Sequence, residues 1–381
     1  MIMFLICGTA LSSWAPMVPL AKDRLRLEES ELGLLLLLLG AGAIAMMPLT
    51  GFLIGKLGSR IIIAAGALLT SLTLPTLLIA PNYITMAIAL FLFGCGIGTV
   101  DVAMNTHGVN VQNRYGRPIM SSLHGLFSVG GLIGSLCLGF LIKFGLNPLV
   151  AAIGISTVLL LLTISQYRAL FSAQTEKENS VKAATTAQEP GSTASAWLDL
   201  RVLFLGFLCF CVFLSEGAML DWSAIFLRDV KHIPIAYAGA GYASFSVAMA
   251  IMRLLGDKIV EKINGRTIVV GGAIIAAAGL AIAIQSESIA LVLVGYSLLG
   301  IGAANIIPIL FSEGGLIQGV SPTIAIAAIS TIGYAGQLAG PALLGFVAQQ
   351  YTLPIAFGLV AALMLLVGIG YWMKKMLSKN T

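Results

Sequence analysis

Residues 30–54 read SELGLLLLLLGAGAIAMMPLTGFLI, and the 23 positions that follow Glu31 in this stretch carry no charged side chain. A helix needs about 20 apolar residues to cross a hydrocarbon core about 30 Å thick. The stretch is therefore long enough and apolar enough to span a membrane as a single helix.

Similar apolar stretches, bounded by charged residues, proline, glycine or asparagine, recur along the whole chain. They fall at residues 1–21, 30–54, 61–80, 84–112, 118–142, 148–170, 200–226, 236–256, 267–285, 288–311, 323–346 and 351–373. We therefore expect an all-α membrane protein with twelve transmembrane helices. Such a protein has the lipid bilayer itself as a partner.

The composition excludes several other classes of protein. Of the 381 residues, 58% are hydrophobic and only 10% are charged, whereas a soluble domain has about 25% charged residues. There is no Walker A, G-x-S-x-G, H-E-x-x-H or C-x-x-C sequence. We therefore expect no enzyme, no cofactor, no metal site and no nucleic-acid partner.

The distribution of lysine and arginine predicts the orientation in the membrane. With both termini placed in the cytoplasm, fifteen of the 21 basic residues fall in cytoplasmic connections and six in outer ones. Positive charge is enriched in cytoplasmic loops. The pattern thus predicts a multi-pass protein of the cell inner membrane with both termini cytoplasmic.

A polar, low-complexity segment divides the chain into two similar halves. Residues 172–198 have the composition of a linker, which predicts a six-helix bundle at 1–171 and another at 199–381. At a shift of 206 residues, seven pairs of glycines coincide where chance gives roughly two. The pairs are Gly33/Gly239, Gly66/Gly272, Gly94/Gly300, Gly96/Gly302, Gly130/Gly336, Gly134/Gly340 and Gly139/Gly345. Six spans per copy make the repeats parallel.

The loop after the second span carries a family signature, roughly G-x-L-a-D-[RK]-x-G-[RK]-[RK]. Its matching positions include Gly51, Lys56, Gly58 and Arg60, and the second-half copy keeps Glu261, Lys262 and Arg266. Gly55 stands where the signature has Asp. The chain resembles the major facilitator superfamily, which implies a secondary active transporter working by alternating access, with solute bound between its halves. These loop residues are implied to control conformational change.

Span 4 carries a narrower resemblance. Residues 94–105, GCGIGTVDVAMN, are similar to the G-x-G-x-x-E-x-x-x-N stretch of fucose–proton symporters, with Asp101 in place of Glu. The wider sequence resembles the YbjJ/MosC-like branch of the superfamily. The likeness implies proton-coupled symport of a small polar solute such as a sugar or polyol derivative. The alternative is proton-coupled efflux of a metabolite or drug, since residues 130–134 resemble an antiporter motif without its proline.

Two acids lie inside the spans, Asp101 near the middle of span 4 and Glu216 in span 7. An ionised carboxylate at the bilayer centre costs roughly 2.5–3.5 kcal/mol on insertion scales. Asp101 is therefore predicted either to bind and release the coupling proton or to form a packing hydrogen bond. Glu216 is either a second proton site or the partner of a basic residue. His124, like His107 across the short loop, either shuttles protons or only packs.

Several polar and aromatic residues are candidates for binding solute. Asn105 lies one helical turn beyond Asp101 and either holds a solute hydroxyl or orients that carboxyl. The tryptophans of spans 1 and 7, with hydroxyls and carboxylates nearby, suit a polyol or form an interfacial belt. The remaining candidates lie on spans that line the cavity in the resembled family. In full, the candidates are Trp14, Asn105, Asp221, Trp222, Tyr242, Asn305, Tyr334 and Gln337. We expect a monomer whose partners are this solute and protons.

Overall fold

The computed structural model describes residues 1–27, 29–176, 197–233 and 240–377, and within these ranges it contains helices and no strand. The helices are α1 (Ile2–Ser13), α2 (Val18–Leu25), α3 (Glu29–Leu57), α4 (Ser59–Thr76), α5 (Tyr83–Tyr115), α6 (Met120–Lys143), α7 (Pro148–Tyr167), α8 (Leu200–Ile225), α9 (Ala240–Lys262), α10 (Gly265–Gln285), α11 (Ile289–Ala303), α12 (Ile306–Gly314), α13 (Pro322–Gln350) and α14 (Leu353–Leu377). A π-helical turn, Phe226–Val230, extends α8.

Each of the twelve predicted spans is largely helical over its described residues. In the described part of the chain, ten helical segments are long and apolar enough to cross a membrane. The sequences of predicted spans 1 and 8 explain why these two are not among the ten. Span 1 is divided into α1, a 3-10 turn at Ala15–Met17 and α2, because prolines lie at Pro16 and Pro19. Helix α9 is long enough but carries a buried arginine and a charged last turn. The prediction of an all-α membrane fold is confirmed.

The chain forms two compact units. Unit 1 comprises Met1–Gly116, Leu126–Asp199 and Gly315–Thr331, and unit 2 comprises Arg117–Gly125, Leu200–Gly314 and Ile332–Thr381. Each unit therefore contains one half of the sequence and a short segment of the other. The division at 171 and 199 stays a prediction, and residues 177–196 of the expected linker lie outside the described residues.

Glycines decide how α5 packs in unit 1. A Cβ on Gly94 would overlap the carbonyl oxygen of Leu39, and one on Gly98 would lie 2.5 Å from that of Ala43, both on α3. On the opposite side, a Cβ on Gly96 would overlap the side chain of Thr70 on α4. Lipid supplies no hydrophobic drive between helices, so such close backbone approach does much of the packing.

Unit 2 repeats this arrangement 206 residues later. A Cβ on Gly300 would overlap the carbonyl oxygen of Phe245, just as a Cβ on Gly94 would overlap the carbonyl oxygen of Leu39. A Cβ on Gly272 would overlap the carbonyl oxygen of Gly302. The contacting positions keep the sequence shift of the repeat, so the glycine pairs mark equivalent helix contacts in the two halves.

Neighbouring glycines of α10 test this packing. Gly272→Ala forces α10 away from α11, and we expect it to lower the free energy of unfolding by about 1–3 kcal/mol, the usual cost of overpacking. The measurement is the thermal unfolding midpoint of purified protein in detergent.

Gly271→Ala is the matched control, because nothing lies within 4 Å of a Cβ at that position. Alanine is the better helix former by roughly 0.5–1 kcal/mol, so this variant is expected to unfold at the same temperature as wild type or above it. Equal midpoints for the two variants would contradict the packing argument.

Candidate functional site

In unit 1, Asp101 and Asn105 form a buried polar pair on α5. Asp101 is 6% exposed and Asn105 is 1% exposed. The Asn105 amide Nδ2 donates to the backbone oxygen of Asp101 at 2.9 Å and to its carboxylate Oδ1 at 3.3 Å. Cys7 of α1 lies close enough to interact electrostatically with the same carboxylate. The sequence-based expectation that the two residues share a face is met by this geometry.

Trp14 is buried beside the end of α1. Its indole Nε1 has no hydrogen-bond partner among the described residues, and neither has Oδ1 of Asn105. Buried donors and acceptors of this kind are usually satisfied. The buried polar atoms of unit 1 that have no partner among the described residues thus include an indole donor and an amide acceptor.

In unit 2, the central feature is a buried ion pair between α8 and α9. Nη2 of Arg253 donates to Oε1 of Glu216 at 2.8 Å, and the two side chains are 6% and 17% exposed. Glu216 is thus paired with a basic residue of α9, and its role as a proton site stays a prediction. Arg253 is among the fifteen basic residues assigned to cytoplasmic connections, but the structure buries it inside α9. The signal was available, since Arg253 falls within the predicted span 236–256.

Arg253 donates a second hydrogen bond, to a backbone carbonyl that is left free at a helix break. Pro308 has no N–H, so it cannot bond the carbonyl of Ala304 one turn earlier, and span 10 is divided there into α11 and α12. Nε of Arg253 donates to this carbonyl at 3.2 Å. Asn305, at the break, donates from Nδ2 to the backbone oxygen of Met252 at 3.3 Å. Interrupted membrane helices commonly form binding sites.

The first turns of α6 also belong to unit 2. His124 is buried, its ring centroid lies 5.9 Å from that of Phe311, and it interacts electrostatically with Arg253. One turn before it, the Ser122 backbone N–H lies 3.2 Å from both carboxylate oxygens of Asp257. His107 lies in unit 1 with different partners, and proton shuttling by either histidine stays a prediction.

The other candidates of α8, α9 and α13 lie on several faces of unit 2. Tyr242 is partly exposed and interacts electrostatically with Glu216, Arg253 and Asp221. The ring of Trp222 covers Gly345, where a Cβ would lie 3.1 Å from it. The Trp222 Nε1 and the Asn305 Oδ1 are buried without a partner in the described ranges.

Tyr334 and Gln337 lie on α13. The Tyr334 ring centroid is 5.5 Å from that of Phe213. Gln337 packs against Gly217, where a Cβ would lie 3.3 Å from the Gln337 carbonyl oxygen. Both residues contact α8, and their roles in binding solute stay predictions.

Counted along the predicted spans, both signature loops and the linker are expected on the same side of the membrane, here called the linker side. Gly51 lets α3 approach α13, since a Cβ there would lie 2.6 Å from that of Ala327. The guanidinium of Arg60 lies 4.1 Å from the ring centroid of Tyr167. The guanidinium of Arg266 lies 5.6 Å from the ring centroid of Trp372.

The remaining loop residues differ in exposure. Lys56 lies over the Phe52 ring at 4.4 Å, and Lys56, Glu261 and Lys262 are exposed, whereas Gly58, with a φ of +82°, is buried. A control over conformational change by these residues stays a prediction.

Comparison with known proteins identifies the class. The sequence model of the Major Facilitator Superfamily matches residues 1–313. An uncharacterized MFS-type transporter of Yersinia pestis is 43% identical over 96% of this chain and 92% of its own length. Membrane protein MosC of Rhizobium meliloti is 32% identical over 96% of this chain and 86% of its own length.

Solved structures agree on the fold. The crystal structure of the E. coli fucose:proton symporter FucP superposes with a TM-score of 0.70 at 16% identity, covering 97% of this chain and 96% of that one. The chain is a membrane transporter rather than an enzyme. It belongs to the major facilitator superfamily, as the sequence resemblance implied.

The Glu216–Arg253 pair gives a stability prediction. Removing one partner of a buried pair leaves an uncompensated charge, so Arg253→Met is expected to lower the free energy of unfolding by about 3–5 kcal/mol. The double variant Glu216→Leu/Arg253→Met replaces the pair by apolar side chains and should recover most of that loss. Thermal and denaturant unfolding of the four proteins in the cycle measure the coupling.

The exposed pair of Arg228 and Asp229 provides the control. Both side chains are about half exposed, and exposed ion pairs contribute little to stability. Arg228→Met should therefore leave the unfolding midpoint nearly unchanged. If the double variant loses as much free energy of unfolding as its two single variants together, the two partners of the buried pair are not coupled in stability.

Proposed function

We propose that the protein is a proton-coupled symporter of a small polar solute, a sugar or polyol derivative, working by alternating access as a monomer. The observation that carries the proposal is the buried Asp101 near the middle of α5, with the amide of Asn105 at its carboxylate. A carboxylate inside a membrane helix is costly and is by default a functional site. Asp101 is the proposed site that loads the coupling proton.

Glu216 is the proposed second proton site. Its carboxylate holds Arg253, so a proton on Glu216 competes with the guanidinium for the same oxygen atoms. Arg253 is also held by the Ala304 carbonyl at the α11–α12 break. Protonation of Glu216 therefore changes the charge near the α11–α12 break, while Arg253 keeps its hydrogen bond to the Ala304 carbonyl. His124, beside Arg253, is proposed to assist proton movement.

The choice of a hydroxylated solute rests on unused hydrogen-bonding groups. Each unit buries one indole N–H and one amide oxygen without a partner among the described residues: Trp14 and Asn105 in unit 1, Trp222 and Asn305 in unit 2. A hydroxyl group both donates and accepts, so a polyol can satisfy both kinds. FucP, which shares the fold, is named as a fucose:proton symporter.

The orientation follows from charge. The basic residues of the linker-side loops, among them Lys56, Arg60, Lys262 and Arg266, favour a cytoplasmic linker side. We therefore place both termini and the linker in the cytoplasm of a cell whose inner membrane holds the protein.

Transport in proteoliposomes tests the proposal. A thermal-shift screen of sugars, polyols and sugar acids first finds a solute that stabilises the folded protein. An imposed gradient of one pH unit, about 1.4 kcal/mol per proton, then supports at most about tenfold accumulation at one proton per solute. Wild type should accumulate the solute, whereas Asp101→Asn should equilibrate it without accumulation and keep solute exchange.

Asp229→Asn is the control, because it makes the same chemical change at an exposed carboxylate. It should accumulate solute like wild type. If Asp101→Asn accumulates solute as wild type does, with the same dependence on the proton gradient, Asp101 does not couple proton and solute transport. Proton-driven release of preloaded solute, with no accumulation in either orientation, would favour efflux instead of symport.

A further inference from the structure

Two helices of this structure begin in one compact unit and continue in the other. Helix α6 starts in unit 2, up to Gly125, and enters unit 1 at Leu126. Helix α13 starts in unit 1, up to Thr331, and enters unit 2 at Ile332. Leu126 and Ile332 are 206 residues apart, which is the shift of the sequence repeat. The first turns of α6 and α13 are therefore equivalent segments, and each packs with the opposite half of the sequence.

The first turns of α6 pack closely on α9. A Cβ on Gly125 would lie 2.8 Å from Cδ2 of Leu254, and a Cβ on Gly256 would lie 2.5 Å from the Cβ of Ser121. Glycines on both helices thus allow α6 and α9 to approach one another closely. Ser121 is 2% exposed, so this contact buries the beginning of α6.

An aspartate of α9 caps this end of α6. The Ser122 backbone N–H lies 3.2 Å from both carboxylate oxygens of Asp257, and the Ser121 backbone N–H interacts with the same carboxylate. The N–H groups of a first helical turn have no partner within the helix, and they form the positive end of the helix dipole. The partly buried Asp257 therefore satisfies both the hydrogen bonds and the partial charge of α6.

The equivalent contact of α13 uses different chemistry. Gly51 lies 206 residues before Asp257, and Ala327 lies 206 residues after Ser121. Gly51 and Ala327 are in contact, since a Cβ on Gly51 would lie 2.6 Å from the Cβ of Ala327. The same pair of positions thus meets twice, once as glycine with alanine and once as aspartate with serine. A glycine has no side chain, so of the two contacts only the one at Asp257 includes a charge from this position.

A third contact joins two equivalent residues directly. Gly315 lies 206 residues after Val109, and a Cβ on Gly315 would overlap the Val109 side chain. Both residues belong to unit 1, and Val109 is fully buried. Equivalent residues of two repeats touch one another only near the axis that relates the repeats. The burial of Val109 therefore depends on the two repeats being together at the end where α5 finishes.

We propose that Asp257 is a positioning residue of the transport cycle: its carboxylate holds the first turn of α6 on α9 and so favours the state in which the linker side is closed. The proposal rests on the alternating access proposed above, in which each side of the membrane opens in turn. Opening of the linker side separates segments that come from opposite halves of the sequence, and the bonds of Asp257 to the α6 backbone are then lost. A variant that lacks these bonds is therefore shifted towards the open state.

The size of the shift follows from the energetics of helix capping. Replacing a capping aspartate by alanine weakens the capped state by a factor of about 2 to 30. Asparagine keeps an acceptor oxygen but has no charge for the helix dipole. Asp257→Asn should therefore shift the equilibrium less than Asp257→Ala. If opening and closing are fast, a probe that reacts only with the open state reacts in proportion to the open fraction.

Cysteine alkylation of the full-length purified protein in detergent tests the proposal. Val109→Cys places a thiol at a fully buried position, where a hydrophilic maleimide should react only when the linker side opens. The rate should rise in the order Val109→Cys alone, with Asp257→Asn and with Asp257→Ala, by about 2- to 30-fold from first to last. Asp229→Asn removes an exposed carboxylate and should leave the rate as in Val109→Cys alone.

The native cysteines show whether a variant has only lost its fold. Cys209 and Cys211 are fully buried in unit 2, and their alkylation should stay equally slow in Asp257→Ala and in wild type. An unchanged alkylation rate of the Val109→Cys thiol in Asp257→Ala, or an increase that Cys209 and Cys211 share, would overturn the proposal. Neither result bears on proton-coupled symport, because the measurement uses no solute and no proton gradient.

Discussion

Close backbone contact at glycine is the constraint on which the rest of this structure depends. Helix α5 contacts α3 through Gly94 and Gly98 and contacts α4 through Gly96. In lipid, helices gain nothing from excluding water from one another, so their separation decides the strength of packing. Because α5 is enclosed in this way, Asp101 and Asn105, on the next turns of the same helix, are buried in protein instead of facing lipid.

The same constraint operates around Arg253 in unit 2. A Cβ on Gly256 would overlap the side chain of Asn305, so the glycine lets α9 approach the break between α11 and α12. That approach brings Arg253 to the carbonyl freed by Pro308. A glycine and a proline on different helices therefore determine where a charged side chain can be satisfied inside the membrane. The ion pair with Glu216 gives the guanidinium of Arg253 a second partner, beside the carbonyl of Ala304.

Features that depend on local composition could be predicted from the sequence. Apolar length predicted the spans, and the shift of 206 residues predicted the repeat, whose glycines make equivalent contacts, as Gly94 with Leu39 and Gly300 with Phe245. Sequence reasoning found Asp101 because a carboxylate within an apolar run is conspicuous. It missed Arg253 as a buried residue, because long basic side chains near a span end ordinarily reach the interface.

It also missed the contact of the Glu176 carboxylate with the backbone N–H of Ser59, the first residue of α4, for a different reason. Nothing in a polar, low-complexity segment indicates which carboxylate will meet a helix N-terminus more than a hundred residues away. The contact depends on the positive φ of Gly58 and on Ala173 lying against it, which are properties of the folded chain. Long-range polar contacts of this kind have no local sequence pattern.

The two buried acids have different electrostatic consequences, and this difference bears on the kind of solute each suits. A proton on Asp101, whose carboxylate accepts from an amide, removes a negative charge and leaves its neutral amide partner in place. A proton on Glu216 leaves the buried guanidinium of Arg253 without its counter-charge, at a cost in free energy because an unpaired buried charge is unfavourable. An anionic solute would offset that cost by binding Arg253, whereas a neutral polyol would not. Coupling through Asp101 therefore fits a neutral solute, and coupling through Glu216 fits one that carries a carboxylate.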